Sequence, residues 1–182
     1  MFMTRIITFC CLLSSLTAET IGNIEYQLPS FISEWDLVTK ETAKVTLQHE
    51  TQEFTEHFFA LYTQGTSDGI NFLKVPENLM KKQIEQLFPN NKVILTTIDR
   101  QSSSIFYNFA VYEDNQELVL GWTREFITKQ GYVSLRYAIA LPSRKNHPAV
   151  RSLLKNIPTP EKPNIANLSN PWISILKAAK EI

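Results

Sequence analysis

Three residues spaced four positions apart, His49, Glu53 and His57, carry side chains that bind metal ions. Two imidazoles and a carboxylate are ligand types that zinc and related metals accept. Residues at this spacing share one face of a helix and one parity of a strand. A strand, however, would separate His49 from His57 by roughly 13 Å. The set is a candidate metal site, and its alternative is a row of solvent-facing polar side chains on a strand.

Nucleophilic catalysis requires a positioned nucleophile, a base and an orienting acid. The serines at 102–104 lie in a polar stretch without the G-x-S-x-G pattern of a nucleophile elbow, so they predict a turn. His147 precedes Pro148 beside two basic residues, which favours a loop or a helix entry. No glycine-rich phosphate loop is present. The sequence therefore predicts no catalytic residue and no cofactor.

Composition and charge limit the classes of protein that remain. The chain has 182 residues, of which 43% are apolar and 20% are charged, as expected for one globular domain. Basic and acidic residues are equal at 18 each, whereas a nucleic-acid-binding protein usually has a basic excess. After the N-terminal segment, no apolar run approaches the roughly 20 residues that a membrane-spanning helix needs. We therefore expect no nucleic-acid partner and no stable membrane insertion.

The first 18 residues have the three parts of a secretory signal peptide. Arg5 is their only charged residue, 6–13 form an apolar stretch, and small residues lead to a cleavage point after Ala18. Both cysteines, Cys10 and Cys11, lie in this segment, so the mature chain would hold itself together without disulfides. The sequence predicts a signal peptide at 1–18 and a bacterial protein that is periplasmic or secreted.

Hydrophobic periodicity predicts an α+β fold. Alternating or dense apolar residues predict seven strands, at 24–28, 44–48, 54–64, 93–97, 104–112, 117–127 and 131–141. A helix over 49–62 is the alternative to the strand at 54–64. Stripes at helical spacing predict helices at 76–88, 148–157 and 171–181. Short turns between consecutive strands indicate an antiparallel meander, which commonly has one packed and one solvated face.

These elements predict one antiparallel sheet of five to seven strands, with one central helix and C-terminal helices packed on one face. The single domain is expected over 19–157. Residues 158–182 form a connector rich in proline, followed by a last helix that packs on the domain or extends from it. The tryptophans Trp35, Trp122 and Trp172 are expected to anchor the core, the alternative being a ligand groove.

The order of these parts resembles the PsbP/DcrB/Mog1-like superfamily of small α+β proteins. The segments that carry the resemblance are YQLP at 26–29, SEWDLV at 33–38 and PENLMKKQIEQLF at 76–88, followed by the meander. The resemblance covers about residues 24–157, and the proline-rich tail departs from it. It implies an accessory or partner-binding protein, and it transfers no site residue.

The leading functional hypothesis is an exported, non-catalytic protein that binds a protein partner. The contact is expected on the sheet face opposite the helices or on the proline-rich tail. One alternative is a hydrolase whose site combines His49, His57 or His147 with a distant carboxylate. Another alternative is a secreted, host-directed virulence factor.

Overall fold

The computed structural model describes residues 17–50, 54–65, 70–113, 116–140 and 171–182. Within these ranges the chain forms ten strands, a 3₁₀ helix and two α-helices. In chain order the elements are β1 (Thr17–Ile21), β2 (Ile24–Leu28), the 3₁₀ helix (Ser30–Glu34), β3 (Asp36–Glu41), β4 (Lys44–Glu50), β5 (Thr55–Gln64), α1 (Glu77–Leu87), β6 (Lys92–Arg100), β7 (Ser104–Glu113), β8 (Gln116–Thr128), β9 (Gly131–Ala140), α2 (Pro171–Ala178) and β10 (Lys180–Glu181).

Seven of these strands form one antiparallel sheet, in the order β3-β4-β5-β9-β8-β7-β6. Two meanders, β3–β5 and β6–β9, join where β5 pairs with β9. The helix α1 connects the meanders in sequence, since it follows β5 and precedes β6. The predicted α+β class with an antiparallel sheet is confirmed.

A second, three-stranded sheet has the order β1-β2-β10. The large sheet has the predicted five to seven strands, but the ten strands of the described residues exceed that count because this second sheet was not predicted. Hydrophobic periodicity does not predict the small sheet, because β10 has only two residues and β1 overlaps the end of the predicted signal peptide. The C-terminal helix ends at Ala178, earlier than predicted, because Lys180 and Glu181 pair with β2. The predicted helix at 148–157 and the connector at 158–170 lie outside the described residues.

The two α-helices pack on opposite faces of the seven-stranded sheet. Along β7, Ile105 and Tyr107 belong to the core under α1, whereas Phe106 and Ala110 belong to the core under α2. The expectation of one solvated sheet face is wrong along β7, because this strand is buried at both parities from Ser104 to Tyr112. Neither helix has the length and apolar character that crossing a membrane requires.

The face under α2 carries a cluster of aromatic rings. The rings of Phe58 and Trp172 stack with their centroids 4.6 Å apart, and Trp35 lies 4.9 Å from Trp172. Tyr137 stacks between Trp122 and Trp172, at 5.6 Å and 5.7 Å. All three tryptophans are buried, as predicted for core anchors. The cluster fixes α2 and the small sheet on this face.

Candidate functional site

A cleft of about 390 Å³ lies between α1 and the sheet, a volume in the range typical of ligand sites. Its floor comes from β5, β8 and β9, its side from α1, and its end from the segment that precedes α1. Ten of the described residues line it, and six of these are apolar: Ile70, Phe72, Val75, Leu79, Met80 and Ile127. The polar ones are Thr63, Gln83, Glu125 and Tyr132.

The end wall of the cleft is held by a side chain from β6. The Arg100 guanidinium donates to the carbonyl of Phe72 at 2.9 Å and also to that of Val75. The N–H of Phe72 donates to the carbonyl of Ser102 at 3.2 Å. Pro76 is then the N-cap residue of α1, which begins at Glu77. These bonds hold the wall in place beside the helix.

A buried carboxyl group lies at the floor of the cleft. Glu125 is 2% exposed, and the Tyr107 hydroxyl donates to its Oε1 at 2.8 Å. Burial raises the pKa of Glu125, while hydrogen bonds from Tyr107 and Tyr132 and the positive charge of Arg136 act in the opposite direction. Burial also raises the pKa of both tyrosines, with the Glu125 charge adding to the effect. The phenols therefore remain hydroxyl donors at neutral pH.

Replacing Glu125 by glutamine is expected to flatten part of the dependence of stability on pH. The pKa of the Glu125 carboxyl is higher in the folded than in the unfolded chain. The protonated side chain therefore contributes to stability below the unfolded pKa of about 4.3. This contribution is lost as the pH rises through the folded pKa. Urea unfolding from pH 4 to pH 8 should show the stability of Glu125→Gln rising relative to the original protein. A constant difference across this range would contradict the prediction. Glu85→Gln, on the exposed side of α1, is the control.

Exposed apolar side chains line the cleft and lie next to its lining residues in the chain. Ile70 and Leu79, which line it, are 55% and 50% exposed. Leu73, 58% exposed, lies between the lining residues Phe72 and Val75 in sequence, and Leu87, 55% exposed, lies at the end of α1. We call Ile70, Leu73, Leu79 and Leu87 the apolar rim. Exposed apolar surface of this kind commonly marks an interaction site.

The structure does not bring the two predicted metal-binding histidines together. His49 lies on β4 and pairs with Glu56 of β5, so its side chain is on the face under α2. His57 lies on β5 at the opposite parity, on the other face of the sheet. Glu53 lies outside the described residues. Among the described residues, no group of three His, Cys, Asp or Glu side chains is placed to hold a metal ion.

His49 instead takes part in a line of hydrogen bonds. Its Nδ1 lies 3.0 Å from Oε2 of Glu56, and the hydroxyl of Tyr137 donates to the other oxygen of that carboxylate. The Trp35 ring stacks on the imidazole, with the centroids 5.6 Å apart. This is the histidine–acid contact that the hydrolase alternative requires.

The predicted turn at the serines is correct for Ser102 and Ser103, while Ser104 begins β7. Ser104 is buried, and its hydroxyl donates to Gln101 and accepts from Arg124. It therefore has a structural role at the start of the strand. His147 lies outside the described residues. Periodicity missed Glu125 because, in the sequence, it alternates with the apolar residues Trp122 and Phe126 of the opposite parity.

Comparison with known proteins identifies the fold of this chain but no family to which it belongs. No protein-family model matches the chain, and no curated protein matches it by sequence. Among solved structures, the Saccharomyces cerevisiae Ran-binding protein Mog1p aligns with a TM-score of 0.58 and 9% identity, covering 92% of this chain and 96% of Mog1p. Cyanobacterial PsbP (CyanoP) from Synechocystis sp. PCC 6803 aligns with a TM-score of 0.56 and 9% identity, covering 93% and 94%. The predicted PsbP/Mog1-like resemblance is thus confirmed, and the chain has the fold that these two proteins share.

Proposed function

We propose that this chain is a non-catalytic accessory protein that binds a protein partner through the cleft and its apolar rim. The observation that carries the proposal is the apolar rim around a mostly apolar cleft. Burying such side chains against a partner stabilises a complex by roughly 25 cal/mol for each Å² of apolar surface. The shared fold is compatible with this role, since Mog1p is described as a Ran-binding protein.

We also propose that the chain acts outside the cytoplasm of a bacterial cell, in the periplasm or secreted. The support is the signal-peptide pattern of residues 1–18. Removal of this segment would leave Glu19, Thr20 and Ile21 in β1, where they pair with Tyr26, Glu25 and Ile24. N-terminal sequencing of the natural protein from fractionated cells tests this proposal: we expect Glu19 as the first residue, in the periplasm or the medium.

Crosslinking from the apolar rim tests partner binding. A photo-crosslinking residue at Leu79 should give one defined adduct in cells, and Leu73→Asp should lower its yield about fivefold or more, because a desolvated charge opposes the contact. Leu37→Asp is the matched control: Leu37 is 56% exposed but lies on β3, at the edge of the sheet. No adduct, or equal losses from the two aspartates, would contradict the proposal.

A further inference from the structure

The floor of the cleft contains an ionisable side chain, whereas its walls contain none. Among the ten lining residues, Glu125 is the only one that carries a formal charge when ionised at neutral pH. The other polar lining residues, Gln83, Thr63 and Tyr132, each have an oxygen that accepts hydrogen bonds. A cation on an apolar stem therefore suits this lining better than an anion does.

A lysine side chain has this combination of properties. Its four methylene groups pack along apolar surface while its ammonium group carries three donors and no acceptor. The apolar side chains of Val75, Leu79 and Ile127 suit the stem, and the Glu125 carboxylate suits the ammonium. Exposed leucines at the mouth, Leu73 and Leu79, would contact the apolar residues on either side of that lysine.

The contacts that Glu125 makes within the chain support the same assignment. A buried carboxylate is costly unless it is paired. Tyr107 and Tyr132 supply hydrogen bonds, and Arg136 on the same sheet face supplies a favourable charge. Burial nevertheless leaves the pKa of Glu125 raised, so the carboxyl is incompletely compensated within the chain. A positive charge brought close to it would favour the ionised form.

Building on the function proposed above, we propose that the partner inserts a lysine flanked by apolar residues into this cleft, where the ammonium pairs with Glu125. The partner is thus a protein segment with a basic residue in an apolar setting. The site recognises this segment by charge at the floor and by apolar contact at the rim.

A set of matched peptides tests this inference on the full chain. The probe is acetyl-Val-Leu-Lys-Leu-Val-amide, compared with peptides that carry norleucine, Nε-acetyllysine or glutamate at the centre. Titration followed by NMR should show the lysine peptide binding about tenfold more tightly than each of the others at neutral pH. Glu125→Gln should abolish this preference, whereas Glu85→Gln on the exposed side of α1 should keep it.

Three results would overturn the inference. The first is equal affinity for the lysine and norleucine peptides. The second is an unchanged preference for the lysine peptide in folded Glu125→Gln. The third is binding of free n-butylammonium as tight as that of the lysine peptide, because the site would then be one for small amines. The crosslinking experiment separates this inference from the proposed function. An adduct at Leu79 that depends on Leu73 but not on Glu125 would leave partner binding intact and reject the lysine.

Discussion

Replacing Trp172 by alanine is expected to lower the free energy of unfolding by about 3–5 kcal/mol, the range for removal of a buried tryptophan. Trp172 is 1% exposed and is the ring through which α2 contacts both the sheet and Trp35. Its ring stacks on Phe58 of β5 and on Tyr137 of β9, the two strands that join the meanders. Alanine would leave a cavity at this junction, and urea unfolding at low temperature measures the loss.

Two variants of α2 make this result interpretable. Ser174 is exposed on the same helix, so Ser174→Ala should change stability by no more than about 0.5 kcal/mol. Trp172→Phe keeps an aromatic ring and should recover part of the loss. If Trp172→Ala were no more destabilising than Ser174→Ala, α2 would not be anchored by this ring, and the aromatic cluster would not hold the layers together.

Replacing Gly121 by valine is expected to cost about 3 kcal/mol or more, at the upper end of the range for an overpacked core. Gly121 lies in β8 directly opposite Phe109 of β7, and a Cβ built on it would meet the Phe109 ring at 2.1 Å. The ring occupies the space that a side chain would need. Phe109 itself is buried in the core under α1 and cannot move outward without losing that packing.

A double-mutant cycle isolates the clash. Phe109→Ala removes the ring and is destabilising by itself, but it also makes room at Gly121. The double variant of Gly121→Val with Phe109→Ala should therefore be more stable than the sum of the two single losses predicts. Strictly additive losses would show that the cost of valine arises elsewhere in β8.

Hydrophobic periodicity predicts the strands and helices correctly where an element has one buried side and short connections to its neighbours. The alternation of Val133, Leu135, Tyr137 and Ile139 predicts β9 and its buried parity, and all four side chains lie in the core under α2. The helix predicted at 76–88 is α1, with its first turn after Pro76. Local pattern determines such elements because each contains its own turn signals and its own apolar stripe.

Periodicity failed at the histidines because the geometry there depends on a hairpin. The prediction of a metal site places His49 and His57 on one helix or one strand, but they belong to two paired strands. Register places Glu56 opposite His49, and a shift of one position would have reversed the face of every side chain in β5. The polar run that separates β4 from β5 is a turn signal, yet it does not determine which residues become opposite each other.

The cleft was missed for a different reason. In the sequence of β8, the parity opposite to Glu125 carries the large apolar residues Leu120 and Trp122, so the pattern marks only that other face as buried. The face of Glu125 is buried because α1, which is distant in sequence, packs against that side of the sheet. Its neighbours Tyr107 and Tyr132 come from the flanking strands. Only the assembled sheet brings these groups together.

The pairing of β5 with β9 also has a consequence for the order in which the chain folds. Each meander forms from neighbouring segments, whereas the seam between them aligns Gln64 with Gly131 and Thr55 with Ala140. Contacts between such distant residues require closure of a long loop before any stabilising contact is made, and this slows folding. We therefore expect the hairpins to form early and the pairing of β5 with β9 to limit the folding rate.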